Sequence, residues 1–252
     1  MILTRNLTIY SKFCKNLAQA RFKSTKKYQA PSLTVPPPPT ESLLKLSAQI
    51  FNQPCSYLDS FDEYDPHTWP NRGLPEIAFV GVKGAGKSTL LTGLLEQKKL
   101  PKKSRAQKSV NRINVFNASD RFCFVDFPGF TYKERDTFNF MFESYLQSET
   151  MFNRIVCIVI EAKMELNHYD HLILKMLDKY QVPYQVILTK MDKFAPQLWP
   201  TLLDTQENEL CSYLTKYGSN SLPHVILTSS LHNKTGFELL KCSILESVIS
   251  TN

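Results

Sequence analysis

The chain has 252 residues, 42% hydrophobic and 21% charged, which suits one globular domain with a tail. Its formal charge of +7 is no argument for nucleic-acid binding, because residues 1–30 hold seven Lys/Arg and no acid while residues 31–252 hold 23 of each sign. Six cysteines (Cys14, Cys55, Cys123, Cys157, Cys211, Cys242) form no C-x-x-C pair or metal-ligand spacing, and no apolar run approaches the ~20 residues of a membrane span.

Residues 1–17 read as an amphipathic helix, with Leu3, Leu7, Tyr10, Cys14 and Leu17 on one face and Arg5, Lys12 and Lys15 opposite. Arg21, Lys23, Lys26 and Lys27 follow. A basic, acid-free, amphipathic start predicts a mitochondrial targeting segment over 1–30 and a matrix location. A basic tail or a membrane-surface helix stays open as the alternative; a compact apolar secretory core is absent. Residues 31–72 read as a proline-rich linker (Pro31, Pro36–Pro39) and an N-terminal extension. In it, Ser42–Phe51 suits a short helix, and Asp59, Asp62, Glu63 and Asp65 suit a solvated surface.

The domain is expected over 73–252. Apolar β-rich runs occur at Ile77–Val80, Ile113–Phe116, Phe122–Val125, Ile155–Ile160, Tyr184–Leu188 and His224–Leu227. Helical patterns fall at about 87–97, 136–148, 167–180, 197–216 and 236–250. This alternation predicts a three-layer α/β fold: a six-stranded, mostly parallel sheet with helices on both faces. Only Asn117–Arg121 separate the second and third strands, so that pair is expected to be antiparallel and to place one antiparallel strand at the edge.

Gly81-Val-Lys-Gly-Ala-Gly-Lys87-Ser88 fits G-x-x-x-x-G-K-[ST] between a strand and a helix, the setting of a phosphate-binding P-loop. The loop amides about Gly81, Gly84, Ala85 and Gly86, with those of Lys87, Ser88 and Thr89 at the helix start, present positive partial charge to an anion. Lys87 suits the β- and γ-phosphates and Ser88 suits Mg²⁺. Asp126-Phe-Pro-Gly129 closes another strand: Asp126 can hold Mg²⁺ through water and the Gly129 amide can meet the γ-phosphate. Lys87 and Gly129 are therefore the catalytic candidates. Thr189-Lys190-Met191-Asp192 follows the strand Val186–Leu188. A carboxylate at Asp192 can accept from guanine N1–H and the 2-amino group, donors that adenine lacks. The stem of Lys190 can cover the base. The amides of Ser229-Ser230-Leu231, at the end of the last strand, can support the guanine oxygen. Together these motifs make a G domain for GTP or GDP with Mg²⁺.

With these motifs in order, the chain resembles the EngB (YihA/YsxC) family of P-loop GTPases, relatives of TrmE and Era. Leu74-Pro-Glu-Ile-Ala-Phe-Val-Gly81, Ile113-Asn114-Val-Phe116, Asp126-Phe-Pro-Gly-Phe-Thr-Tyr132 and Lys234-Thr-Gly236-Phe-Glu-Leu239 carry the likeness, over about Leu74–Ile249. The resemblance implies a GTPase of large-subunit ribosome assembly, with a ribosomal subunit or rRNA as partner. With the import tail it implies a mitochondrial ribosome-assembly factor, expected to be a monomer. Two departures stand out, beside a third position, Phe130, that is apolar in the family too. Gly84 replaces an Asn that in relatives helps hold potassium. The switch I Thr that ligates Mg²⁺ aligns with Val110, beside Ser109. Phe130 follows Gly129 where Ras-like proteins carry a water-orienting Gln, so unaided hydrolysis is expected to be slow.

The basic run Lys98, Lys99, Lys102, Lys103, Arg105, Lys108 and Arg112 overlaps switch I and reads either as an rRNA contact or as a solvated loop. His168 and His171 lack further ligands and read as surface residues; Trp69 and Trp199 read as packing residues. Two function classes remain: a GTPase that releases its partner after hydrolysis, and a scaffold, guanine-nucleotide-gated or nucleotide-blind, that acts by occupancy.

Overall fold

The computed structural model describes residues 38–70, 73–95, 112–148, 154–163, 166–195, 221–230 and 234–250. In chain order these form helix α1 (Glu41–Phe51), strands β1 (Cys55–Phe61) and β2 (Glu76–Val80), helix α2 (Lys87–Leu94), and strands β3 (Ile113–Ala118) and β4 (Phe122–Asp126). Helix α3 (Arg135–Leu146), β5 (Arg154–Glu161), α4 (His168–Lys179), β6 (Tyr184–Thr189), β7 (Ser221–Leu227) and α5 (Phe237–Ser250) follow. The segment expected as a helix over 197–216, the tail over 1–30 and the basic run before Arg112 lie outside the described residues.

One sheet joins all seven strands in the order β1-β3-β4-β2-β5-β6-β7. β4, β2, β5, β6 and β7 are parallel, and β3 is antiparallel to β4 as the short connection requires. The sheet departs from the expected six strands. β1 pairs antiparallel with β3, so the antiparallel strand lies second from the edge rather than at it. Cys55–Phe61 escaped notice because an edge strand needs no apolar run. Its residues after Cys55 are exposed or half-buried, and its register shifts between Tyr57 and Asp59.

The middles of the buried central strands are apolar because helices cover both faces, with polar residues confined to positions near the strand ends. Alternate side chains divide between them. Ala78, Val80, Val156, Ile158 and Val186 pack with Phe138, Phe142 and Tyr145 of α3 and Ile173, Leu174 and Leu177 of α4. Ile77, Phe79, Cys157, Val159 and Ile187 pack with Leu90, Leu91 and Leu94 of α2, Phe237, Leu240 and Ile244 of α5, and Phe51 of α1. Helix starts are set locally. Thr40 Oγ1 accepts from the Leu43 amide at 3.3 Å, and Asn167 Oδ1 accepts from the Tyr169 and Asp170 amides at 2.8 Å.

At the amino ends of β2 and β5 a polar network is sealed into the core. Glu76 is 2% exposed and Arg154 is 2% exposed. Glu76 Oε2 accepts from Arg154 Nε at 3.0 Å, Arg154 Nη2 at 2.9 Å and the Tyr145 hydroxyl at 2.9 Å. Trp69 Nε1 donates to Glu76 Oε1 at 2.5 Å. Arg154 Nη1 donates to the Tyr145 carbonyl, and the guanidinium lies 3.5 Å from the centre of the Tyr145 ring. Trp69 is thus the packing residue expected, with an added polar role: it ties the N-terminal extension to the domain.

Candidate nucleotide site

The expected site residues that are described converge at the carboxyl ends of β2, β4, β6 and β7, where open parallel sheets place ligands. The glycine-rich loop leaves β2 at Gly81 and enters α2 through Gly86, whose φ of 99° is left-handed and whose lack of a side chain leaves the helix start without a side-chain cap. Within the loop the Ala85 amide donates to the Val82 carbonyl at 3.1 Å. Gly84, Ser88 and Thr89 are exposed along its rim. Lys87 is 6% exposed and folds back across the loop, with Nζ donating to the Gly81 carbonyl at 2.6 Å and the Val82 carbonyl at 3.1 Å. Burial brings its ammonium down to about 8, against the upward pull of Asp126.

Asp126 ends β4 beside this lysine. It is 7% exposed, and its Oδ1 has no hydrogen-bond partner among the described residues. Burial pushes its carboxyl up to about 6, with Lys87 acting in the opposite direction. A buried carboxylate oxygen left unmatched is costly unless a cation completes it. Asp126 with the exposed hydroxyl of Ser88 forms an oxygen donor set of the kind Mg²⁺ takes. The residues present therefore fit that ion.

Gly129 closes the phosphate end of the loop. A Cβ there would lie 2.9 Å from Lys83 Cα and 2.9 Å from Lys87 Nζ, so only glycine fits the approach. The Lys83 amide donates to the Phe130 carbonyl at 3.0 Å, and Val82 bridges Phe130 in parallel. Phe130 itself turns inward. It is 3% exposed, stacked on Phe138 at 4.0 Å and edge-on to Tyr169.

The base-reading segment is locked to the loop. Thr189 Oγ1 donates to the Ala85 carbonyl at 2.6 Å and reaches the Ile160 carbonyl at 3.3 Å. Lys190 takes a left-handed turn, φ 59°, and aims Nζ at Glu161 Oε2, 2.7 Å away. Lys193 holds the other oxygen, Oε1, at 2.5 Å. Two lysines on one carboxylate hold the Glu161 carboxyl below its ordinary range, although its partial burial acts first and upward. Ser229 Oγ donates to Asp192 Oδ1 at 2.5 Å. Here the structure corrects the expected role of Ser229. Its amide is taken by the Thr235 carbonyl at 3.1 Å, so Ser229 positions Asp192 by its hydroxyl and leaves the Ser230 amide for the base. Leu231, Ser109 and Val110 lie outside the described residues.

Two residues near the site drew no notice in the sequence. Glu161 is an acid ending a strand otherwise wholly buried, and that position was its signal. Lys83 is a second lysine within the loop motif and was passed over as a variable position. Among the described residues no helix is long and apolar enough to cross a membrane, and no group of three or more His, Cys, Asp or Glu is placed to hold a metal; His168 is exposed.

A family profile described as 50S ribosome-binding GTPase matches residues 76–190. A Bartonella bacilliformis protein described as a probable GTP-binding protein EngB is 30% identical over 194 residues, covering 71% of this chain and 87% of that protein. The chain belongs to the EngB family. An EngB protein of Gluconobacter oxydans is 28% identical over 208 residues, covering 81% of this chain and 87% of its own length. The crystal structure of a probable GTP-binding protein engB shares the fold, with a TM-score of 0.52 at 19% identity over 69% of this chain and 99% of that one. EngB proteins are P-loop GTPases, and membership makes this chain one of that enzyme class.

Proposed function

We propose that the chain binds GTP and GDP with Mg²⁺, hydrolyses GTP, and uses the cycle in assembling the large ribosomal subunit, in mitochondria. The observation that carries the nucleotide part is one arrangement. Lys87 is folded onto its own loop beside the unmatched Asp126 oxygen, while Asp192 is held by Ser229 at the far end of the same groove. The ribosomal part rests on the family, whose matching profile is described as ribosome-binding. The mitochondrial part rests on the basic, acid-free segment 1–30.

On binding, Lys87 exchanges the Gly81 and Val82 carbonyls for β- and γ-phosphate oxygens, and the amides at the start of α2 face the same anion. Asp192 accepts from the guanine edge, and the stem of Lys190 lies along the base plane. Mg²⁺, held through Ser88 and Asp126, would neutralise charge on the β- and γ-phosphates. The Gly129 amide donates to the γ-phosphate in the transition state. Phe130 is packed into the core and orients no water, so a ribosomal surface or another factor is expected to accelerate the reaction.

That packing of Phe130 also favours a second reading, a nucleotide-gated scaffold that acts by occupancy. The deciding experiment measures fluorescent GDP and GTP binding to the full chain, with ATP as competitor and Lys87→Ala as control, then multiple-turnover hydrolysis with ribosomal precursor particles. Guanine-selective binding lost in the variant, with turnover, supports the GTPase. Binding without phosphate release leaves the nucleotide-gated scaffold, and no binding at all sinks the GTPase and leaves a nucleotide-blind scaffold. Asp192→Asn should move preference toward xanthine nucleotide; an unmoved preference would overturn the base assignment.

A further inference from the structure

Of the two lysines of the phosphate loop, Lys83 is the one whose side chain has no partner among the described residues. Lys87 is turned onto loop carbonyls, and Lys190 and Lys193 share Glu161. Lys83 is exposed, and no ion pair ties it to another described residue. Its backbone, by contrast, is fixed. The amide donates to the Phe130 carbonyl at 3.0 Å, and the bridge between Val82 and Phe130 holds the preceding residue. Its position is set by Gly129: the point where a Cβ on that glycine would stand is 2.9 Å from Lys83 Cα and equally 2.9 Å from Lys87 Nζ. The root of one lysine and the ammonium of the other thus face the same spot, beside Gly129. A flexible four-carbon stem rooted there can bring three donors to whatever lies beside Lys87.

From this we infer that Lys83 is a catalytic lysine, a positive charge built into the chain at the γ-phosphate. The inference rests on the GTPase reading above. In the reaction, water oxygen bonds to the γ-phosphorus as the bond from that phosphorus to the β–γ bridging oxygen breaks. The electron pair leaves on GDP, and the protons of water pass to the released phosphate and to solvent. Negative charge grows on the bridging and γ-oxygens as this happens. A cation poised there stabilises the transition state more than the ground state. Other enzymes of this chemistry take that charge from an arginine in cis or from a partner, with effects of about 10³–10⁵ in rate. A lysine acts as a point charge without the bidentate fork, so a smaller effect is expected. Because Phe130 contributes no polar group, Lys83 is the residue expected to support hydrolysis by the isolated chain.

The test uses the full chain as wild type, Lys83→Gln and Lys83→Arg. Three quantities are read: the single-turnover rate of GTP hydrolysis, the dissociation constant of fluorescent GDP, and capture of that GDP by aluminium fluoride without a partner. The expected result is a rate at least tenfold lower in Lys83→Gln, with capture lost, GDP affinity within twofold of wild type, and both activities largely kept in Lys83→Arg. A rate change under threefold with capture intact overturns the inference. So does a loss of GDP affinity as large as the loss of rate, which would make Lys83 a binding residue. Wild type that binds guanine nucleotide yet neither hydrolyses nor captures also overturns it. Wild type that fails to bind guanine nucleotide refutes the GTPase reading itself.

Discussion

Replacing Glu76 by Ala should cost a large share of the stability of the domain while leaving its chemistry alone. Among the described residues Glu76 is the only carboxylate facing Arg154 in the polar network at the amino ends of β2 and β5, and it also accepts from Trp69 and Tyr145. Removing it leaves a guanidinium that is 1% exposed in its side chain, with a carbonyl, Ser148 and an aromatic face but no counter-charge among the described residues. Breaking a buried pair from one side costs about 3–5 kcal/mol. Whole domains are stable by only about 5–15 kcal/mol. At roughly 2–4 °C per kcal/mol for a domain of this size, the melting temperature should fall by about 6–20 °C. Urea unfolding followed by circular dichroism measures the change. The double variant Glu76→Leu, Arg154→Met should recover most of the loss, because packed apolar residues replace buried pairs at little cost. A cost under about 1 kcal/mol for Glu76→Ala, or a double variant as unstable as the single, would refute this account. GDP affinity of the folded variant should match wild type, since the network lies at the strand ends remote from the loop.

The site itself carries a pH signature without nucleotide. The folded-state pKa of Asp126 is raised to about 6, so its stabilising contribution is full below its unfolded value and is lost as pH rises through 6. Between pH 5 and 7 the wild type should lose roughly 1 kcal/mol relative to Asp126→Asn, read as a shift in urea midpoint; parallel profiles would contradict the assignment. Glu161→Gln should free Lys190 and lower GDP and GTP affinity alike, by roughly two- to tenfold, since ordering one long side chain on binding costs about 0.5–1.5 kcal/mol. Calorimetry measures it, and unchanged affinity would remove Glu161 from the site. Burial pushes the thiols of Cys55 and Cys123 up to about 12 and that of Cys242 up to about 11, and raises Cys157 as well. None of the four should be alkylated by iodoacetamide at pH 8 in the folded chain, whereas all four should be in urea; peptide mapping that finds any labelled in the folded state counts against the burial described.

What the sequence discloses follows the physics of each element. The loop from Gly81 to Ser88 is legible because phosphate binding needs several glycines and a lysine at fixed spacing in a contiguous segment. Thr189–Asp192 and Asp126–Gly129 are legible because each directly follows a strand whose apolar run is unbroken. β1 is not legible, since its partner β3 lies some fifty residues on and its exposed edge carries Ser56, Asp59 and Ser60. The Glu76–Arg154 pair is hidden in the same way: each residue alone reads as the polar start of a strand, and only the parallel register that sets Glu76 against Arg154 reveals the bond. Glu161 and Ser229 act through other side chains, Lys190 and Asp192, over contacts made by the fold and not by sequence neighbours.

The loop and Asp126 also show why this site should favour bound over free states. Lys87 and Asp126 both stay charged at neutral pH, although burial brings the ammonium down to about 8 and pushes the carboxyl up to about 6. Each charge is therefore kept at a cost of burial. Phosphate oxygens beside Lys87 and a divalent cation beside Asp126 reverse both terms, because each meets the charge it lacks. That cost is recovered when phosphate and the divalent cation bind. Proteins spend stability in this way where function needs preorganised charge. The rigid parts of the groove are what allow it: Thr189 fastened to Ala85, Ser229 to Asp192, and Gly129 seated against Lys83 and Lys87. A looser frame would let Lys87 turn out to water and Asp126 take a proton, and the driving force for nucleotide would be spent before it arrived.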